Sequence, residues 1–350
     1  MDMQAYVLTG VNELQLNNVS MPELGIGEAL VRVKACGICG SDIPRIYKTG
    51  AHVYPLIPGH EFAGEVVELG KETDDKWLGK RVGVFPLISC GKCGPCKKKR
   101  YEMCRNYSYL GSRRDGGFAE CVVVPQENLI ELPDEVSFEA AAMLEPMAVA
   151  VHAMRGIGVN VADTVAVCGM GTIGLLLLMF LREMGIKNIF VIGNKDSQRK
   201  MAMLAGVDEE KFCDTRFCDC EKWLDKKNAG NGVDVFFECV GKNETVLHAI
   251  NMTAPGGRVM LVGNPYSDMN LDKDIYWKVL RNQLTLKGTW NSSFTNEETD
   301  DWHYVIQKLR GKKLSPEKLI SHRFSLEDLE KGLEIMRDKT QDYVKIMIVV

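Results

Sequence analysis

The chain has 350 residues, enough for two domains that each bury a core. Apolar residues make up 45% and charged residues 26%; a formal charge of −4 and a pI near 6.0 give no reason to expect nucleic acid or an anionic membrane as partner. The opening Met1-Asp2-Met3-Gln4 lacks the pattern of a secretory signal, and the longest apolar run, from Ile173 to Leu181, is shorter than the roughly 18–20 residues that cross a bilayer, so a cytoplasmic protein is expected. Twelve cysteines in a reducing compartment call for a role other than disulfides, and metal ligation is the first to consider.

Residues 1–135 read as β-rich, with alternating segments such as 28–33 and 120–124 set between Gly and Pro punctuation. The basic run Lys97 to Arg100 reads as a solvated loop face. From Ser137 the pattern is helical through Met154, with Gly156 and Gly158 as stop signals. Strands are expected at 164–168, 188–192, 233–238 and 258–262, separated by helices, which is the mark of a parallel sheet built from βαβ units. After Gly288 the character changes, ending in a helix near 326–336 and a strand at 344–350. Pairing of that strand with the N-terminal region would divide the chain into 1–150 with 292–350, and 151–291. No internal repeat or low-complexity tract is present.

Cys90, Cys93, Cys96 and Cys104 form C-x2-C-x2-C-x7-C within the segment 86–107. Four thiolates so spaced can close a tetrahedron around Zn2+ and leave no position for water, so this site is read as scaffold. An iron–sulfur cluster is the competing reading. Cys213, Cys218 and Cys220 are also close in sequence, but no fourth ligand is evident, and they read as small buried residues.

The run Val165 to Gly174 is a strand leading into Gly169-x-Gly171-x-x-Gly174 and an apolar helix. Gly169 serves the tight turn, Gly171 the approach of backbone to a pyrophosphate and Gly174 the packing of helix on strand, with Thr172 and Ile173 at the helix start. At the end of the next strand, where an acid would accept from a ribose 2′-hydroxyl, stand Gly193, Asn194 and Lys195, followed by Arg199. The missing carboxylate and the added cations favour NADP(H) over NAD(H); a plain turn with exposed basic residues is the alternative.

Gly59-His60-Glu61 sets an imidazole and a carboxylate beside a strand, with Cys36-Gly37-Ile38-Cys39-Gly40-Ser41-Asp42 upstream and Leu144-Glu145-Pro146 downstream. Together with the four-cysteine lobe and the glycine fingerprint, these motifs resemble the zinc-dependent medium-chain dehydrogenases over essentially the whole chain. The resemblance implies a GroES-like β-barrel domain (1–150 and 292–350, carrying the lobe) and a doubly wound Rossmann domain (151–291). It makes Cys39, His60 and Glu145 ligands of a catalytic zinc, the second per chain, with Glu61 a further carboxylate bound directly or through water and Cys36 a packing residue. Such a site leaves one position open to an alcohol, whose hydride passes to the nicotinamide. Ser41 would begin proton release; Pro44 and Arg45 stand where some relatives carry the next histidine of the relay.

The segments 41–52, 110–120 and 288–293 are similar to those of the polyol-phosphate branch of that family. This implies a phosphorylated hexitol as substrate, oxidised at a secondary alcohol. Arg45, Arg113 and Arg114 would make the cationic end of the pocket, with Asn291 from the third segment. Surface or interdomain pairing of these arginines is the alternative. An unphosphorylated polyol of the sorbitol type, or threonine, is the competing substrate. A catalytically silent binding protein on the same fold would be expected to have lost some of Cys39, Ser41, His60 and Glu145, and all are present. By resemblance, late helices of the second domain and the strand near 284–288 would join subunits into a homodimer or homotetramer.

Overall fold

The last strand of the chain sits inside the first domain. In the computed structural model, which describes residues 2–350, Lys345–Val349 lies between Ile320–Ser325, its parallel neighbour, and Glu28–Ile38, its antiparallel one. The sheet continues through Glu61–Leu69 and Arg81–Val84 to Leu129–Glu131, and Cys121–Pro125 pairs with Glu28–Ile38 as well. Residues 2–148 and 292–350 thus form one unit and residues 149–291 another. The first boundary falls within the helix Leu144–Ile157. The helical stretch from Ser137 is two helices: Ser137 caps Phe138–Ala142 by accepting from the Ala140 amide, and Leu144–Ile157 follows.

Glu28–Ile38 is buried along most of its length, and Leu8, Ile46 and Phe62 of the same core are at most 2% exposed. Each such side chain contributes about 1.5–3 kcal/mol by leaving water, so this core holds the strand ends that carry the site.

The second unit is a six-stranded, all-parallel sheet in the order Phe212–Asp214, Ile189–Gly193, Val165–Cys168, Val233–Glu238, Thr253–Leu261, Thr285–Gly288. Numbered by position in the chain this is 3-2-1-4-5-6, the doubly wound Rossmann order, which turns at Val165–Cys168 and presents ligands at the carboxyl ends of its strands. Val165–Cys168 is wholly buried, as a central parallel strand must be, and the helix Thr172–Glu183 buries a run from Gly174 to Leu178. Among the described residues no helix is long and apolar enough to cross a membrane.

Candidate active site and metal centres

Strand pairing assembles the catalytic constellation. Gly37, near the end of Glu28–Ile38, lies opposite Glu61, the first residue of Glu61–Leu69. Cys39, just past one strand end, therefore meets His60 and Glu61 at the start of the other. A Cβ at Gly37 would collide with the Glu61 carboxylate, so the glycine makes room for it. Gly59 has φ +95°, and a Cβ there would meet the Phe118 amide nitrogen at 2.8 Å. Cys39 Sγ, a ring nitrogen of His60 and a carboxylate oxygen of Glu61 all lie within 4.8 Å of one another.

The groups around this trio fix its members. Ser41 donates to Cys39 Sγ from its hydroxyl at 3.3 Å and from its amide at 3.5 Å. Asp42, wholly buried, accepts the Cys39 amide at 2.9 Å, holds Arg45 Nη1 at 2.5 Å and stands 3.4 Å from His60 Nδ1. Burial pushes the Asp42 carboxyl up, but His60 and Arg45 outweigh it and its pKa is lowered. Burial likewise opposes a charge on His60, yet Asp42 and Cys39 raise its pKa well above the ordinary imidazole range. Glu61 Oε2 sits 2.5 Å from Lys345 Nζ, which also donates to the Ile38 carbonyl at 3.2 Å. Burial disfavours that ammonium, but Glu61 and Cys39 prevail and raise its pKa.

Glu145 stands outside the close trio. Tyr109 donates to its Oε1 at 3.1 Å, and burial pushes its carboxyl up to about 7, with His60 opposing and Glu61 adding to the rise. The three nearest donors are thus Cys39, His60 and Glu61, in place of the expected Cys39, His60 and Glu145. The donor set suits zinc: a thiolate, an imidazole and a carboxylate converge.

In the cysteine lobe, Cys93 Sγ lies 3.4 Å from Cys96 Sγ and 3.9 Å from Cys104 Sγ, and Cys90 and Cys96 Sγ are 4.0 Å apart. A tetrahedron of zinc–sulfur bonds has edges of about 3.8 Å, so the sulfurs already stand at ligating separation. The Arg105 amide, followed by that of Cys96, lowers the Cys93 thiol to about 6, while burial pushes Cys96 up to about 12. Cys213, Cys218 and Cys220 join no such group among the described residues.

At the dinucleotide end, a Cβ on Gly169 (φ +94°) would meet Val240 Cγ2 at 2.6 Å, and one on Gly174 would strike the Gly169 carbonyl. Nothing lies within 4 Å of a Cβ at Gly171, the residue that caps the helix opening with Thr172 and Ile173, so space is open before the helix amides. A Cβ at Gly193 would meet Gln198 Oε1 at 2.8 Å and Phe212 Cζ at 2.9 Å, so packing demands this glycine and the space beside it is filled. Gln198 Oε1 also accepts the Asn194 amide at 2.9 Å. Lys195 precedes the helix Asp196–Leu204, and Arg199 pairs with Glu209 at 3.4 Å.

The arginines of the expected phosphate pocket have separate partners. Arg45 is neutralised by Asp42, and Arg114 by Glu28 at 2.6 Å. Arg113 lies 4.3 Å over the Tyr107 ring and donates to the Tyr107 carbonyl, with no acidic partner among the described residues. Asn291, the last residue of the second unit, is in the left-handed region (φ +58°). Two residues with parts in the site had no sequence motif of their own, Lys345 and Tyr109; Asp42 closes the Cys36–Asp42 motif, but its positioning role was not read from it. A lysine interrupting the apolar segment 344–350 was the available signal for Lys345.

Known proteins match this arrangement. The family model for the alcohol dehydrogenase GroES-like domain matches residues 25–134, and that for zinc-binding dehydrogenase matches residues 172–310. Galactitol 1-phosphate 5-dehydrogenase of Escherichia coli (strain K12) is 33% identical over 306 residues, covering 87% of this chain and 88% of the relative. L-idonate 5-dehydrogenase of Vitis vinifera is 33% identical over 342 residues, covering 95% and 91%. Among solved structures, galactitol-1-phosphate dehydrogenase from Escherichia coli has a TM-score of 0.90 at 30% identity, covering 99% of this chain and 100% of that one. A zinc-binding dehydrogenase from Sinorhizobium meliloti bound to NADP has a TM-score of 0.90 at 29% identity, with 100% of both chains covered. The chain belongs to the zinc-dependent medium-chain dehydrogenases, oxidoreductases that act with zinc and a nicotinamide cofactor.

Proposed function

We propose that this dehydrogenase oxidises a secondary alcohol of a phosphorylated hexitol, converting galactitol 1-phosphate to tagatose 6-phosphate, with NADP+ preferred as hydride acceptor. The observation that carries the chemistry is the convergence of Cys39, His60 and Glu61, with the Ser41 hydroxyl on the Cys39 sulfur. The likeness to galactitol 1-phosphate 5-dehydrogenase supports the substrate. In this reading Cys39, His60 and Glu61, with Glu145 nearby, hold the catalytic zinc, and Cys90, Cys93, Cys96 and Cys104 hold a structural one. When bound there, zinc would supply Lewis acidity toward an alcohol oxygen, and a nicotinamide would supply the hydride acceptor.

The chain's own groups do the positioning. Asp42 orients His60 and the Cys39 amide, Lys345 anchors Glu61, and Tyr109 anchors Glu145. In this reading the Ser41 hydroxyl receives the alcohol proton as it passes its own on toward solvent, and Pro44 and Arg45 stand where some relatives carry the histidine of the later relay. Arg113 is the cation left to face a phosphate.

One observation favours a second reading, an unphosphorylated polyol: Arg45 and Arg114 are already neutralised. Relatives of that kind include sorbitol dehydrogenase of Arabidopsis thaliana, 31% identical over 330 residues. Assay of galactitol 1-phosphate beside sorbitol, xylitol and threonine decides between them. Equal or better turnover of the unphosphorylated substrates would overturn the phosphate reading. A cytoplasmic homodimer or homotetramer completes the proposal, supported by the exposed Tyr276, Trp277 and Leu280 and by the open edge of Thr285–Gly288. Light scattering reads the assembly directly, and a monomer would refute that part.

A further inference from the structure

The carboxyl ends of three neighbouring strands carry the dinucleotide region in sheet order. Val165–Cys168 leads into the Gly169–Gly174 loop, Ile189–Gly193 ends beside it, and Phe212–Asp214 ends one strand farther out. The Thr215 amide donates to the Gly193 carbonyl at 2.9 Å, which ties the two outer strand exits together and sets residue 216 beside the Gly193–Lys195 turn. A dinucleotide with its pyrophosphate on the glycine loop runs its adenosine ribose toward that turn, so the 2′ position is directed at the third strand exit.

Arg216 stands there. Asp214, 5% exposed, grips its guanidinium at two points, from Nε at 3.0 Å and from Nη2 at 2.6 Å. Asp196, whose side chain is 87% exposed, meets Nη2 at 2.5 Å. Among the described residues Nη1 makes no hydrogen bond. The two carboxylates differ in kind. The buried one fixes the plane of the guanidinium, whereas the exposed pair with Asp196 is screened and weakly held. Arg199 lies within electrostatic reach of the same Asp214, its Nε buried without a partner.

We propose that Arg216 is the clamp for the 2′-phosphate of NADP(H), and that Asp196 holds the place of that phosphate in the free protein. A phosphate dianion entering here takes the Nη1 and Nη2 donors in the bidentate geometry that suits a guanidinium, and displaces Asp196. Selectivity then resides in a residue one strand beyond the usual position, because Gly193 is fixed by the Phe212 ring and makes no pocket. The inference rests on the reading that a nicotinamide dinucleotide binds at the Gly169–Gly174 loop.

Calorimetric titration of the full-length enzyme with 2′,5′-ADP and with 5′-ADP tests it without turnover. The wild type is expected to bind 2′,5′-ADP about tenfold or more tightly than 5′-ADP. Arg216→Gln should abolish that preference while leaving 5′-ADP affinity unchanged. Because removing Arg216 leaves Asp214 without its partner and weakens the local fold, Asp196→Asn serves as the second variant, expected to tighten 2′,5′-ADP alone. Equal affinities in the wild type, or a preference that survives Arg216→Gln, would overturn the clamp and leave the dinucleotide reading standing. Binding of neither nucleotide by the wild type would overturn both.

Discussion

The four-cysteine lobe and the Cys39 centre are both built from sulfur, yet they are made in opposite ways. The lobe draws every ligand from a stretch of fifteen residues, and its sulfurs stand 3.4–4.0 Å apart with only local turns to set them. The Cys39 centre draws on three distant parts of the chain and is set by strand register, a buried aspartate and a lysine near the C-terminus. Local assembly produces a closed site that holds a loop. Long-range assembly produces one whose charges are balanced by the fold itself and whose chemistry can remain open.

The sharpest way to separate the two is to remove one ligand at a time. Cys39→Ala should lower kcat/KM by about 10³-fold or more, reduce zinc from about two per chain to about one and leave Tm nearly unchanged. Metal analysis still showing two zincs would break the assignment. Next in size is Lys345→Met, which strands the Glu61 carboxylate in the core at a cost of about 3–5 kcal/mol. The double variant with Glu61→Gln should recover most of that, and a double-mutant cycle that shows no coupling would contradict the pairing. Cys93→Ser should do the converse of Cys39→Ala, losing the other zinc and several degrees of Tm while the remaining folded enzyme still binds cofactor.

Smaller effects probe the surroundings. Tyr109→Phe removes one hydrogen bond to Glu145 and should lower kcat/KM by about five- to tenfold, equivalent to about 1 kcal/mol, with zinc content intact. The least effect is expected at His248, beside the cysteines that form no metal group. Its pKa rises to about 9, chiefly through Cys220, with burial opposing and Glu221 assisting. Because the folded value exceeds the unfolded one near 6.5, its stabilisation is fully present below pH 6.5 and is lost as pH rises through about 9. His248→Gln should therefore destabilise the protein by less than about 1 kcal/mol at pH 6 and by nothing at pH 10. Urea midpoints at the two pH values check this, and chelator should not alter the difference.

How legible each region was follows from the same contrast. The C-x2-C-x2-C-x7-C spacing and the glycine loop declare themselves because their geometry is local, and the sheet of the second unit follows from its run of buried strands. The Cys39 centre was legible only through the family resemblance, since no spacing rule connects residues 39, 60 and 145. Lys345 reads as an ordinary member of a strand until Glu61 is found opposite it. The arginines were less legible for a related reason: Arg45 and Arg114 are basic in sequence, and their pairing with Asp42 and Glu28 becomes visible only in space. Gly193 marks an absent carboxylate in the sequence, and the fold adds that the Phe212 ring leaves little room for a Cβ there.

The Glu61–Lys345 pair carries a consequence for the birth of the molecule. Its members are separated by 284 residues, which the ribosome needs roughly 15–60 s to span at 5–20 residues per second. Throughout that interval the nascent N-terminal region lacks both the counter-charge for its buried glutamate and the strand that completes its sheet. The second unit, contiguous in the chain, is free to condense first. Completion of the Cys39 centre is thereby deferred until Lys345 has been made, and loss of the Lys345–Val349 strand would reach farther into the active centre than its distance in sequence from Cys39 suggests.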